Sequence, residues 1–168
     1  MSRDYSRENL VIRADILRNR ILKLGSASPE DIKGCSQDEI LALETSCGLK
    51  LPESYKIFLS YFGHSCGGRV MSDIEYKYES LLSLHKEWQR LQNSDYFPEV
   101  SSKTFLWSAR YREQFMFFEA VESKNDPTIF YWSDEDDNFK KAAASIFEIL
   151  DQEIMVIEVA EYYCRENS

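Results

Sequence analysis

The sequence has little of what marks fibrous, disordered or membrane-spanning proteins. Glycine and proline number only six and four in 168 residues, and 43% of the residues are hydrophobic. This composition excludes collagen-like, low-complexity and disordered classes. No apolar run approaches the roughly 20 residues that span a bilayer, so we expect no membrane partner. At roughly 150 residues per domain, the length predicts a single domain over residues 1–168.

Paired cysteines and a secretion signal are also missing. The N-terminus mixes acids with its bases, and it lacks the continuous apolar run of about 7–15 residues that a signal peptide needs. The four cysteines stand singly, without C-x-x-C spacing, which favours reduced thiols. We therefore expect a soluble, cytoplasmic protein. The cysteines are Cys35, Cys47, Cys66 and Cys164.

A basic excess is absent, and the net charge is −9. Residues 1–118 hold 16 basic and 16 acidic side chains, whereas residues 119–168 hold 4 basic and 13 acidic side chains. The whole excess therefore lies in the last third of the chain. Nucleic-acid binders need a basic patch, so we expect no nucleic-acid partner. An acidic surface suits a basic protein partner, although the same charge also serves solubility alone.

Helical periodicity dominates both ends of the chain, and aromatic, β-prone runs lie between them. Helices followed by a meander of strands and a last helix indicate an α+β fold. We expect N-terminal helices, an antiparallel β-meander sheet and a C-terminal helix packed on the sheet. The predicted helices cover about residues 10–24, 28–34, 36–47, 52–62, 81–91 and 140–163, the last interrupted near Gln152 and Glu153. The predicted strands begin at residues 69–71 and continue at 104–107, 114–121 and 128–132.

One block of sequence resembles the signature of the SUKH superfamily. Glu44 lies in one predicted helix, Leu51 and Pro52 with Tyr55 open the next, and Gly63 ends it. Residues 115–118, 128–132 and 145–150 resemble the later strands and the start of the last helix of that family. The resemblance covers roughly residues 37–150 and leaves residues 1–35 as an N-terminal helical extension of a SUKH-like domain.

The resemblance implies a small α+β protein that acts by binding. Many such proteins are bacterial immunity proteins that neutralise secreted polymorphic toxins, often nucleases, and others are regulators of fungal cell-wall synthesis or viral relatives. The family offers no catalytic residues. The first hypothesis is stoichiometric neutralisation of a cognate basic toxin through an acidic surface. The alternative is a regulatory or scaffold adaptor that binds cellular partners without a toxin, and an enzyme is a distant third.

The densest acidic run supplies the candidate partner-binding residues. Asp134, Glu135, Asp136 and Asp137 follow Trp132, which we expect to be an exposed aromatic anchor beside them. A calcium loop is the metal alternative for this run. It fails because an EF-hand needs glycine at its sixth position and glutamate at its twelfth, where this chain has phenylalanine and serine.

Other candidate chemistry is weaker, and we predict no catalytic residue, metal or cofactor. His64 and Cys66 lie near Cys47 in the sequence, but zinc needs three or four ligands at recurrent spacings that are absent here. A cysteine nucleophile needs a base within hydrogen-bond reach, which adjacency does not provide. Glu44, Glu119 and Glu122 are candidate paired acids for hydrolysis, and exposed helix and strand faces explain them equally well.

Overall fold

A computed structural model describes residues 6–94, 97–136 and 138–166. Its described elements form an α+β fold, as predicted, and the C-terminal helix packs against the last strand and two other helices. In chain order they are α1 (Arg7–Lys23), a short 3-10 turn (Pro29–Asp31), β1 (Ile32–Lys33), α2 (Gln37–Cys47), α3 (Glu53–Phe62), β2 (Ser65–Cys66), β3 (Ile74–Glu75), α4 (Tyr78–Gln92), β4 (Thr104–Arg110), β5 (Gln114–Glu119), β6 (Ile129–Ser133), β7 (Lys140–Ala143) and α5 (Ile146–Glu166).

The bounds of α2 follow from capping groups in the local sequence. Ser36 and Glu39 form the predicted capping box, in which each side chain bonds to the backbone of the other residue. Gly48 ends α2 with φ +67°, a left-handed conformation that glycine adopts without steric cost. Glu44 Oε1 then accepts the N–H of Leu51 at 2.8 Å, which fixes the short connection into α3. The Glu and Leu-Pro positions of the family signature are therefore in direct contact.

The main sheet is antiparallel, with strand order β3-β4-β5-β6-β7, and its strands follow the order of the chain. Aromatic side chains cover both of its faces. On one face, Tyr55 of α3 packs against Phe105 and Phe118. On the other face, Trp88 of α4 packs against Phe117. The sheet therefore lies between helices, which explains why the centre of β4 is a continuous buried run rather than an alternating one.

Helix α1 lies in the predicted N-terminal extension, yet it contributes to the same hydrophobic core as the sheet. It packs against α3 and α5, and four of its residues at helical spacing are buried. Burial of such a stripe is the main stabilising contribution of an amphipathic helix. The buried residues are Leu10, Ala14, Leu17 and Ile21.

Three predicted elements were wrong. Residues 69–71 form a turn rather than a strand, and Met71 adopts φ +55° there. Residues 140–143 form β7, and α5 begins only at Ile146 and runs without interruption past Gln152 and Glu153. The predicted helix over residues 28–34 is a single 3-10 turn followed by β1. Strand β7 pairs with β6, and strand β1 pairs with β2. In both cases this tertiary interaction overrides the local preference for a helix.

Candidate functional site

The acidic loop, residues 133–138, joins β6 to β7 at one end of the sheet. Asp136 organises the described part of this loop. Its backbone N–H bonds to Ser133 O at 3.0 Å, and its carboxylate accepts the Ser133 hydroxyl at 3.0 Å and also pairs with Lys140. The Lys140 ammonium, more than any other neighbour, lowers the pKa of Asp136. Asp136 is therefore a structural acid whose charge is offset by Lys140 at the start of β7.

Trp132 is not an exposed anchor, and that expectation was wrong. Its side chain is 1% exposed and packs edge-on against Phe97, with ring centroids 4.7 Å apart. Its indole N–H donates to the backbone oxygen of Asp136 at 3.0 Å. The indole gains more from this packing and hydrogen bond than from facing water beside the loop. Trp132 is therefore a buried support for the acidic loop.

Asp134 and Glu135 differ from Asp136 in their exposure. Both lie at the tip of the acidic loop, and both side chains are open to solvent. Among the described residues, neither carboxylate forms an ion pair. Asp137, the fourth acid of the predicted set, lies outside the described residues. The loop thus presents at least two carboxylates to solvent on a turn held by Asp136 and Trp132.

Most other acids of the last third are paired with arginines from the first two thirds. These ion pairs offset the acids of the last third locally, while the net charge of the chain stays at −9. The strongest case is Arg20, which forms a bidentate pair with Glu158 at 3.1 and 2.7 Å and also contacts Asp151. The other pairs are Arg13 with Asp126 (3.2 Å), Arg110 with Glu153 (3.0 Å) and Arg69 with Glu161 (3.8 Å).

His64 lies in a second polar cluster. Its neighbours in space differ from Cys47 and Cys66, which lie near it in the sequence. Its Nε2 is 3.2 Å from Glu39 Oε1, and its Nδ1 is 2.6 Å from Glu79 Oε1. The thiol of Cys35, rather than Cys47 or Cys66, completes a group of potential ligands with His64 and Glu39. The two carboxylates outweigh the partial burial and raise the pKa of His64. Sequence reasoning missed Cys35, Glu39 and Glu79, because only the fold brings these segments together.

Cys66 and Glu44, which were considered for catalysis, occupy structural positions. Burial raises the pKa of Cys66 to about 12, which disfavours a thiolate nucleophile. Glu44 holds the N–H of Leu51, as described above. Glu119 and Glu122 are exposed and line different surface recesses. The hydrolytic pairing considered from the sequence is therefore not supported by their positions.

A further recess beside the sheet also gives no catalytic arrangement. It has a volume of about 440 Å³ and lies between α4, the end of α2 and β4, with His85 in its wall. The ring Nε2 of His85 is 3.0 Å from Leu106 O, and burial lowers the pKa of this histidine. The neutral ring donates to that carbonyl, so His85 satisfies the backbone of β4.

The fold and site together define a small α+β protein that displays a charged loop beside the sheet. A model of the SMI1 / KNR4 family (SUKH-1) matches residues 34–152, and the chain belongs to this family. The predicted SUKH resemblance is thereby confirmed, and the match begins after α1. Family membership supports a SUKH-like protein, a group that is often involved in toxin immunity. No curated protein matches the chain. Among the described residues, no helix is long and apolar enough to cross a membrane.

Proposed function

We propose that this protein is a non-enzymatic, cytoplasmic binding protein that neutralises a cognate secreted toxin by occupying it in a one-to-one complex. The toxin is a basic protein, with nuclease as the first class to test, and the acidic loop is the contact surface. Membership in the SMI1 / KNR4 family supports the immunity role. The solvent-exposed carboxylates of Asp134 and Glu135 are the observation that supports the acidic loop as the contact surface.

Charge pairing favours the acidic loop over helix α5. Acids that are already paired with arginine give up an existing interaction when a partner approaches. Asp151 and Glu158 are in this position, because Arg20 holds both of them. Asp134 and Glu135 have no such pair among the described residues, so their field is available to a basic partner. Complementary charge of this kind accelerates encounter and sets its salt dependence.

The loop is also held in place, which reduces the entropy lost on binding. Its base rests on Trp132, which is packed between Phe97 and Phe115. Its turn is closed by the Ser133 and Asp136 hydrogen bonds. The carboxylates at the tip thus project from a turn fixed to the sheet.

The test starts with identification of the partner by affinity capture from the source cell or its culture. Binding kinetics are then measured for the purified pair at low and high salt. We compare the unaltered protein with the double variant Asp134→Asn/Glu135→Gln. The proposal expects an association rate about tenfold lower at low salt, and a weaker salt dependence, in the variant. In cells that produce the toxin, the variant should protect less well.

The matched control is Asp151→Asn/Glu158→Gln, which removes the same number of negative charges from α5. It should lower the association rate much less, because these charges lie outside the proposed contact surface and Arg20 already offsets one of the two. Equal losses in the two double variants would show that only net charge matters and would reject the acidic loop as the contact surface. Recovery of several cellular proteins with no toxin among them would favour the adaptor alternative.

A further inference from the structure

Three side chains with different metal-binding atoms converge where α2 begins and where α3 has just ended. One ligand atom each from Cys35, Glu39 and His64 lies within 4.8 Å of the others. Glu39 Oε1 and His64 Nε2 are 3.2 Å apart. Ligand atoms bound to one tetrahedral zinc ion at 2.0–2.3 Å are separated by roughly 3.3–3.8 Å. Small side-chain rotations therefore bring these three atoms to zinc-binding distances.

The backbone fixes the positions of these residues. The N–H of Cys35 donates to Leu59 O at 2.8 Å, and the N–H of His64 donates to Lys33 O at 2.9 Å. The His64 bond extends the pairing of β1 with β2, and the Cys35 bond ties its segment to the last turn of α3. Backbone hydrogen bonds therefore hold both ligand residues in place, as a metal site requires.

Glu39 is held by the capping box in a way that leaves one oxygen available. Its Oε2 accepts the backbone N–H and the hydroxyl of Ser36 at 2.8 and 3.0 Å. Its Oε1 points to His64. These bonds to Ser36, together with the contact to His64, lower the pKa of Glu39, so this carboxylate is ionised at neutral pH.

Glu79 supplies an outer interaction of the kind that metal-bound histidines have. Its Oε1 is 2.6 Å from His64 Nδ1, on the opposite side of the ring from Glu39. A carboxylate in this position fixes the ring orientation and leaves Nε2 to face the ion. Because Glu79 is in the first turn of α4, it ties a fourth segment of the chain to the cluster.

Exposure differs across the cluster in a way that permits entry of an ion. Cys35 is 7% exposed, whereas His64 and Glu39 are partly open to solvent. His64 and Glu79 line a surface recess of about 490 Å³. The thiol thus forms the buried side of the cluster, and the recess gives solvent access to the other side.

We propose that Cys35 Sγ, Glu39 Oε1 and His64 Nε2 bind a zinc ion, with water as the fourth ligand. Mixed sulfur, nitrogen and oxygen donors suit this borderline-soft cation. Burial raises the pKa of the Cys35 thiol to about 12, and the ion displaces this proton to solvent as the sulfur binds it. The site is independent of the acidic loop and of the toxin-binding proposal.

The test uses full-length, reduced, metal-free protein with Co²⁺ and Zn²⁺ as probes. Titration with Co²⁺ should give one equivalent of bound ion, with visible bands of tetrahedral cobalt and a near-ultraviolet thiolate-to-cobalt band. Zn²⁺ should displace the cobalt, and it should raise the thermal midpoint of unfolding, because an ion that binds only the folded state stabilises it.

The variants Cys35→Ala and His64→Gln should each abolish the cobalt spectrum, while circular dichroism confirms that they fold. Glu79→Gln should weaken zinc binding about 10- to 100-fold, as loss of an outer carboxylate does. Cys164→Ser and His85→Gln are the matched controls and should bind normally. Absence of the spectrum in the unaltered protein, or its persistence in either folded variant, would overturn the site.

Discussion

The acidic loop and helix α5 contain similar kinds of residues but use their charge differently. In α5, Asp151, Glu153 and Glu158 all contact arginines from distant parts of the chain. In the acidic loop, Asp134 and Glu135 remain open to solvent. The two regions contribute alike to the net charge in the sequence. Asp134 and Glu135 keep their charge available to a partner, whereas counting charges along the sequence overstates the acidity of α5.

Asp126 is the extreme case among the paired acids. Its side chain is fully buried, and Arg13 reaches it from α1 at 3.2 Å. The other guanidinium nitrogen donates to Ser145 Oγ at 3.2 Å, and the group lies over the ring of Phe147. Arg13 thus connects the helix outside the family match to the loop before β6 and to the start of α5. The pair compensates a buried charge, whereas the acids at the tip of the loop need no compensation.

The substitution Arg13→Gln tests this contrast with the largest expected effect. It leaves the buried Asp126 carboxylate without its cation, and breaking a buried pair in this way is strongly destabilising. Because Arg13 is itself partly exposed, we expect a loss of about 2–3 kcal/mol in the free energy of unfolding. Urea denaturation followed by circular dichroism measures it. If Arg13→Gln costs less than Arg20→Gln, the buried pair is not the more important of the two for stability.

Arg20→Gln should have an intermediate effect. It removes a bidentate pair with Glu158 and a contact with Asp151, but all three side chains are partly open to water. Solvent screening reduces the value of such pairs, so we expect a loss of about 1 kcal/mol in the free energy of unfolding. The same urea measurement applies, and Arg165→Gln, at the exposed end of α5, is the control expected to change little.

The pH dependence of stability should differ in sign between Asp126 and Asp136. Burial raises the pKa of Asp126 above its ordinary value of 3.8. Its stabilising contribution is therefore fully present below that value and is lost as the pH rises through the folded-state pKa. Lys140 lowers the pKa of Asp136, so the contribution of this residue is present above 3.8 and is lost as the pH falls.

Thermal unfolding of Asp126→Asn and Asp136→Asn at about pH 4 and about pH 7 measures this difference. Asp126→Asn should lower the thermal midpoint, relative to the unaltered protein, by more at the acidic pH than at the neutral pH. Asp136→Asn should show the reverse order. If both variants lose more stability at the same pH, then Asp126 and Asp136 do not respond to pH with opposite sign.

The smallest effect on stability is expected for Asp134→Asn/Glu135→Gln. Both side chains are exposed and make no ion pair with a described residue, so their neutralisation should leave the thermal midpoint of unfolding unchanged. Differential scanning calorimetry checks this. A clear decrease in the midpoint would show that these carboxylates have a structural role, and it would remove the distinction between the loop tip and α5.

Much of the fold was predictable because its signals are local. The capping box of Ser36 and Glu39 and the glycine after α2 depend on residues a few positions apart, and the structure confirms them. The strand over 140–143 was missed because its pairing partner is β6, which a local pattern does not reveal. Trp132 was misplaced for a similar reason, since Phe97 and Phe115 cover it from other segments.

The sequence by itself determined the helix caps, the aromatic strands, the family signature and the position of the acidic run. These depend on residue type and short spacing, which the chain carries before it folds. Only the tertiary structure decided which acids are neutralised and which donors surround His64. Those outcomes depend on contacts such as Arg20 with Glu158, between residues 138 positions apart. Ion pairs and metal-ligand contacts depend on distance in space, whatever the separation along the chain.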